Sequence, residues 1–234
     1  MTASIDLNAD LGEGVTDDQG LLAVVTSANV ACGYHAGDAH VMRAVCEEAA
    51  AGGVVVGAQV SYQDREGFGR RAMDVAPDVL TAWVADQVAA LQEAARDAGI
   101  DVTYLKPHGA LYNRVADDEE QAVAVLAGSG QLPVLGLPGS AFLRLAATQG
   151  RAIVAEGFPD RGYTSTGRLV PRGDPGALVE GVEQVAANAV SLAESGTVRT
   201  LCVHGDSPDA VRTTQAVRRA LEEAGYDVRA WAAR

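Results

Sequence analysis

Val102-Thr-Tyr-Leu-Lys-Pro-His-Gly-Ala-Leu-Tyr-Asn113 is a short β-type run that ends in a cluster of reactive side chains. Val102, Thr103 and Tyr104 favour a pleated strand. Beyond them stand an amine (Lys106), an imidazole (His108), a phenol (Tyr112) and an amide (Asn113). Pro107 removes a backbone donor and Gly109 permits a tight turn, so the stretch reads as a strand followed by a loop full of chemistry. The same design recurs at residues 6–13, 29–38, 59–71, 156–163 and 204–206.

Working outward, short apolar runs alternate with long Ala-rich helical patterns. The spacing predicts strands at 4–8, 28–31, 54–60, 102–105, 134–137, 152–156, 200–204 and 228–231. Helices are predicted at 39–51, 77–98, 119–126, 140–149, 176–195 and 208–224, from apolar positions at helical spacing such as Val79, Trp83, Val84, Val88 and Leu91. Pro77 and Pro208 suit first helical turns, and Asp174-Pro175 suits a helix start. Gly52, Gly99, Gly150, Gly196 and Gly225 follow helical runs as C-terminal caps do. Strands that alternate with helices pair in parallel through right-handed crossovers. The expectation is a distorted TIM-like (β/α) barrel of about seven parallel strands in a single domain, 1–234, with a doubly wound open sheet as the alternative. Both place functional residues at the carboxyl ends of strands.

With 234 residues the chain is long enough for one sizeable core. Aromatic residues make up only 5%, so that core is built from Ala, Val and Leu. A net charge of −13 repels phosphate backbones and argues against nucleic-acid binding. Cys32, Cys46 and Cys202 are odd in number and lack CxxC spacing, which fits a reducing compartment. No basic-then-apolar leader is legible, and no apolar run approaches about 18 residues, so no membrane span is expected and the expected location is cytoplasmic.

In Asp6-Leu-Asn-Ala-Asp-Leu-Gly-Glu-Gly14, the polar Asp6, Asn8 and Asp10 alternate with apolar residues and share one face of a strand. They read either as a solvated edge strand or as a carboxylate set for substrate, metal or water. Ser27-Ala-Asn-Val-Ala-Cys-Gly-Tyr-His-Ala-Gly-Asp38 sets His35 among small residues, with Asp38 equally suited to capping the next helix. In Gly67-Phe-Gly-Arg-Arg71, Phe68 reads as a packing anchor; Arg70 and Arg71 are either a solvated pair or a clamp for carboxylate or phosphate. Lys106 at a strand end can stabilise a developing anion, and His108 can serve as acid or base. Asp160 beside Arg161 reads as an ion pair across a turn. Cys202-Val-His-Gly-Asp206 adds a second imidazole and carboxylate, with Asp206 also placed to cap a helix.

There is no GxxxxGK[ST] or GxGxxG phosphate loop and no GxSxG elbow. His35, His108, His204 and Asp10 are residue types that hydrolytic metals use, but HExxH is missing and no spacing compels a metal. The expectation is a metal-free site.

These motifs, together with Leu169-Val-Pro-Arg172, resemble those of the LamB/YcsF family, in the family's order and from about residue 4 to the final helix. The resemblance implies a barrel related to carbohydrate-deacetylase barrels. It also implies the role of the A component in an ATP-dependent 5-oxoprolinase, which opens 5-oxoproline to L-glutamate with partner subunits B and C. One departure stands out. Where the family reads Gly-Ala-His-Pro-Gly/Ser-Tyr-Pro-Asp, this chain reads Gly57-Ala-Gln-Val-Ser-Tyr-Gln-Asp64, with Gln59 in place of an imidazole. Pro159 and Ser207 are milder departures from Ala and Asn.

Lactam opening adds water to an amide carbonyl and expels nitrogen, and phosphorylation of the amide oxygen by ATP makes that carbon a better electrophile. The expected catalytic set is Asp10 or His35 as base, with Lys106 and His108 stabilising developing charge. Arg70 is expected to grip the substrate carboxylate or a phosphate. Asp6, Asn8, Glu13, Asn29, Gln59, Asn113, Glu156, His204 and Asp206 complete the expected substrate contacts. The missing phosphate loop assigns phosphorylation to the partners. The competing expectations are a metal-dependent deacetylase or polysaccharide hydrolase on the same barrel, and a non-catalytic scaffold.

Overall fold

A computed structural model describes residues 3–15, 17–207 and 209–231. Its parallel strands are β1 (Ser4–Leu11), β2 (Ser27–Ala31), β3 (Val55–Val60), β4 (Val102–Pro107), β5 (Val134–Gly136), β6 (Ile153–Gly157) and β7 (Thr200–Val203). They run in order around a ring that β1 closes by pairing with both β2 and β7, which makes a closed seven-stranded barrel. A two-residue strand, β8 (Asp227–Val228), adds to the start of β1. Helices α1 (Asp18–Leu22), α2 (Ala39–Gly52), α3 (Pro77–Asp97), α4 (Gly109–Asp117), α5 (Glu119–Gly128), α6 (Ala141–Thr148), α7 (Val182–Glu194) and α8 (Ala210–Glu223) lie between the strands.

The alternation in β1 decides what fills the barrel. Ile5, Leu7, Ala9 and Leu11 join the main apolar core, which the helices cover. Asp6, Asn8 and Asp10 are also buried, but they are bonded to polar groups from neighbouring strands. β1 is therefore a barrel strand with a polar inner face, not a solvated edge. The lower interior is plugged by Tyr104, Leu135 and Val154, with Trp231 packed on them. Gly57, opposite Tyr104 in the β3–β4 register, makes room for this plug: a Cβ there would lie 2.1 Å from the Tyr104 ring.

Several local expectations need correction. Gly109–Asp117, read as a loop, is helix α4 with His108 at its N-cap, and α1 has no clear sequence signal either. Pro175 does not open a helix; α7 starts at Val182, because residues 161–178 form a loop tied by bridges Arg161–Leu178 and Tyr163–Leu169. Gly53, not Gly52, caps α2 in the left-handed conformation. Pro208 lies outside the described residues, and α8 starts at Ala210 with Asp209, not Asp206, at its N-cap. Asp38 does cap α2, accepting from the amides of His40 and Val41. All three cysteines are buried and free. Among the described residues no helix is long and apolar enough to cross a membrane.

Candidate active site

The carboxyl ends of the strands surround a cavity of about 510 Å3. Lys106 and Asp10 line it, yet they are only 2% and 3% exposed. The Lys106 ammonium donates to Asp10 Oδ1 at 3.0 Å and to Cys202 Sγ at 2.9 Å, and lies 3.3 Å from Glu156 Oε1. Burial alone would raise the Asp10 carboxyl, but Lys106, with help from His108 and His204, holds it well below the usual carboxylate range. Burial opposes the charge on Lys106 as well; Asp10, Cys202 and Glu156 outweigh it and push its pKa well above the usual value. Burial raises Glu156, only partly offset by Lys106, and keeps the Cys202 thiol protonated. The floor thus holds a charged Lys–Asp pair, with Glu156 fully enclosed beside it and outside the cavity lining.

Below this floor the polar groups bond one another, with Glu156 Oε2 left unpaired among the described residues. Asn29 donates to Asp10 Oδ1 at 2.9 Å and to Asn8 Oδ1 at 2.7 Å, and Asn8 donates to Glu156 Oε1 at 3.1 Å. Tyr104 donates its hydroxyl to Asn29 at 2.7 Å. Asp6 lies farther down, where Thr26, Ser27 and Thr200 donate to it. Burial, partly offset by these hydroxyls, raises its pKa to about 6. Asp6, Asn8 and Asn29 do not line the cavity; they set the position of Asp10 and Glu156.

To one side of the floor, Glu13, His35, Gln59 and His108 form a second buried cluster. The rings of His35 and His108 stack 4.1 Å apart, and Phe68 closes edge-on against both at 5.8 and 5.6 Å. This cover depends on Gly69 and Gly109, both at positive φ: Ala110 N donates to Gly69 O at 2.8 Å, and a Cβ on Gly109 would meet that oxygen at 2.4 Å. Burial, with His108 beside it, lowers the pKa of His35 to about 4, so it is neutral. His35 is 1% exposed and does not line the cavity, whereas His108 does. Among the described residues, Glu13, His35 and His108 are close enough together to hold a metal ion.

The rim is rich in arginine, and each guanidinium is already engaged. Arg70 and Arg172 share one carboxylate, Asp206, and Arg70 also lies 4.9 Å over the Phe68 ring. Burial raises Asp206, but Arg172, His204 and Arg70 outweigh it and hold its carboxyl low. Arg168 binds Asp117; Arg114 binds Asp74 and Asp118. Asp160 and Arg161 do not pair across a turn. Asp160 takes His204 at 2.8 Å, and Arg161 donates to the carbonyls of Ala177 and Val170. His204 stacks on Phe158 at 5.3 Å and, with Asn113, lines the cavity. Asn113 is exposed on α4 and donates to Gly109 O. Tyr112, singled out in the sequence as the phenol that follows β4, lines the cavity, whereas Cys202 and Phe158 join the site without having been expected there. Each falls inside a cluster that closes a strand, but apolar and thiol groups give no reason to single them out in the sequence.

Fold and site together define a (β/α) barrel with an acid–base cluster at its carboxyl-end rim. The LamB/YcsF family model matches residues 5–234, and the chain belongs to the LamB/YcsF family. It is 56% identical to the A component of 5-oxoprolinase from Streptomyces griseus, over 97% of this chain and 100% of that relative. The crystal structure of the lactam utilization protein from Thermus thermophilus superposes with a TM-score of 0.90 at 37% identity, covering 97% of this chain and 100% of that one. The catalytic domain of peptidoglycan N-acetylglucosamine deacetylase from Eubacterium rectale shares the fold, with a TM-score of 0.57 at 15% identity over 98% of this chain and 88% of that one.

Proposed function

We propose that this chain is the A component of an ATP-dependent 5-oxoprolinase that opens the lactam ring of 5-oxoproline to L-glutamate with partner subunits B and C. The observation that carries the reading is the Lys106–Asp10 pair, with opposite charges fixed at the floor of the cavity. The names of the relatives supply the substrate: 5-oxoprolinase in one, lactam utilization in another.

The lactam carbonyl oxygen sits against the Lys106 ammonium, which is in place before any charge develops. Such a preorganised donor contributes about 2.7–4 kcal/mol to the transition state. Asp10, ionised by its position beside Lys106, orients the attacking water and takes its proton. Water adds to the carbonyl carbon after the partners have phosphorylated its oxygen, and the C–N bond breaks with nitrogen leaving as the amine after taking a proton. A second water hydrolyses the resulting acyl phosphate to the carboxylate and inorganic phosphate. Asp10 passes to the leaving nitrogen the proton it took from water, and Glu156, fully enclosed outside the cavity lining, tunes the Lys106–Asp10 pair. His35 is withdrawn from the base role because it does not line the cavity. His108 lines it, but Gln59 engages its Nδ1 and the Phe68 carbonyl its Nε2, so it flanks Asp10 and does not bond the lactam oxygen. Arg70 and Arg172 hold the substrate carboxylate in competition with Asp206.

The ATP-dependent step belongs to subunits B and C in this reading. The sequence has no phosphate loop, and the rim arginines are already compensated by carboxylates or carbonyls. The test is glutamate release from 5-oxoproline with and without ATP and with and without the partners. A deacetylase on the same barrel instead releases acetate from an N-acetylated glycan without ATP. A scaffold tolerates loss of Lys106.

A further inference from the structure

The ends of β1, β2, β3 and β4 send Glu13, His35, Gln59 and His108 to one buried point. Glu13 Oε1 lies 3.6 Å from His35 Nε2 and 3.5 Å from His108 Nδ1, and the three candidate ligand atoms all lie within 4.8 Å of one another. Ligands at about 2.0–2.2 Å around a tetrahedral ion stand about 3.3–3.6 Å apart. Two of the three separations already match. The third, between the two imidazole nitrogens, is within 4.8 Å.

Two independent observations point to a missing partner at this spot. Neither ring nitrogen of His35 has a hydrogen-bond partner among the described residues, although the side chain is enclosed. A buried polar group without a partner is unfavourable, and such groups are seldom left so. Gln59 Oε1 is likewise buried and unbonded. The Gln59 amide nitrogen meanwhile lies 3.0 Å from Glu13 Oε1 and 2.9 Å from His108 Nδ1, donating to the very atoms a cation would take. Rotating the amide by half a turn exchanges nitrogen for oxygen at that point. The second shell is also set: His108 Nε2 lies 3.1 Å from the Phe68 carbonyl, a bond that places the proton there and frees Nδ1 as a ligand.

We propose that Glu13, His35 and His108 bind one divalent transition-metal ion of the Zn(II) class, with the Gln59 amide as a two-position element. Its carbonyl oxygen faces the ion in the loaded protein, and its NH2 group replaces the ion in the empty one. The mixed imidazole and carboxylate donors suit Zn(II), Co(II) or Ni(II) rather than Mg(II) or Ca(II). Lys106 does not compete for the ligands, because Asp10 and Glu156 engage it.

The inference does not depend on the ring-opening reading, and its test measures no turnover. The full chain, stripped with a chelator and checked by circular dichroism, is titrated with Co(II). Absorption bands and elemental analysis are recorded, followed by displacement with Zn(II). The expected result is one ion per chain with the intense bands of a tetrahedral site, and at least about tenfold weaker binding in His35→Ala and Glu13→Gln. Gln59→His, which supplies a third imidazole, binds about tenfold tighter or more; this gain remains readable even if the loss variants do not fold. Folded wild-type protein that binds no stoichiometric Co(II), or binding unchanged in His35→Ala, overturns the proposal.

Discussion

The Nζ of Lys106 and the Oδ1 of Asp10 are 3.0 Å apart at the floor of the cavity, and each side chain is almost fully enclosed. Removing one partner from such a pair leaves the other as an uncompensated buried charge, which costs about 3–5 kcal/mol. Lys106→Met therefore loses both stability and turnover. The double variant Lys106→Met with Asp10→Asn recovers most of the stability without the turnover. Urea denaturation of both variants, read beside glutamate release, separates the two effects. Equal instability of the single and double variants contradicts the pairing.

Asp6 gives the fold a pH dependence of predictable sign. Its carboxyl has an ordinary value of 3.8 and a folded value of about 6. Between these values the folded chain holds a proton that the unfolded chain releases. The stabilisation is fully present below the lower value and is lost as pH rises through the upper one. The slope it contributes approaches about 1.4 kcal/mol per pH unit. Asp6→Asn flattens this segment, so the wild-type-minus-variant difference in unfolding free energy changes between about pH 4 and pH 6. A difference independent of pH shows that Asp6 is not the group responsible.

Gly69 and Gly130 both have positive φ, at 68° and 61°. A Cβ on Gly69 would lie 2.3 Å from Ser61 Oγ and 3.0 Å from atoms of His35 and His108, whereas one on Gly130 meets nothing within 4 Å. Gly130→Ala is expected to lose about 1 kcal/mol, from backbone strain alone. Gly69→Ala is expected to lose about 1–3 kcal/mol more, because the Phe68 cover must shift. Thermal melts of the two variants decide this, and equal losses mean that the cover is not tightly seated.

Arg172 shares Asp206 with Arg70, so its removal leaves that carboxylate partnered. Arg172→Gln is expected to raise KM for 5-oxoproline by about 10-fold, with kcat near wild type, as loss of one charged hydrogen bond does. Steady-state kinetics with the partner subunits give the split. A fall in kcat at unchanged KM moves Arg172 out of the binding role.

Much of this is legible in the residues themselves. The strict alternation of Asp6, Asn8 and Asp10 with apolar residues places all three on one face, and the βα rhythm implies a closed barrel. Whether that face meets solvent or the barrel interior is a tertiary fact, settled by the bonds from Thr26, Ser27 and Thr200. Helix α4 is hidden because its first residue is Gly109, two positions after Pro107, a pair that locally signals a turn. Asp160 is misleading because the nearest charge in sequence, Arg161, is not the nearest in space; its partner is His204, on another strand end. His35 and His108 stand out in the sequence as possible ligands, but that Glu13, not Asp10 or His204, meets them is a tertiary fact, since the three come from separate strand ends.

The central claim is that lactam opening occurs at the Lys106–Asp10 pair of this chain. The direct measurement is ATP-dependent release of glutamate from 5-oxoproline by the complex assembled with subunits B and C, using the wild-type chain and the Lys106→Met, Asp10→Asn double variant. The account predicts release by the wild-type complex only when ATP and all three components are present, and at least about 100-fold less from a folded, assembled double variant. Wild-type activity from that variant, or no glutamate from the complete wild-type complex, contradicts it.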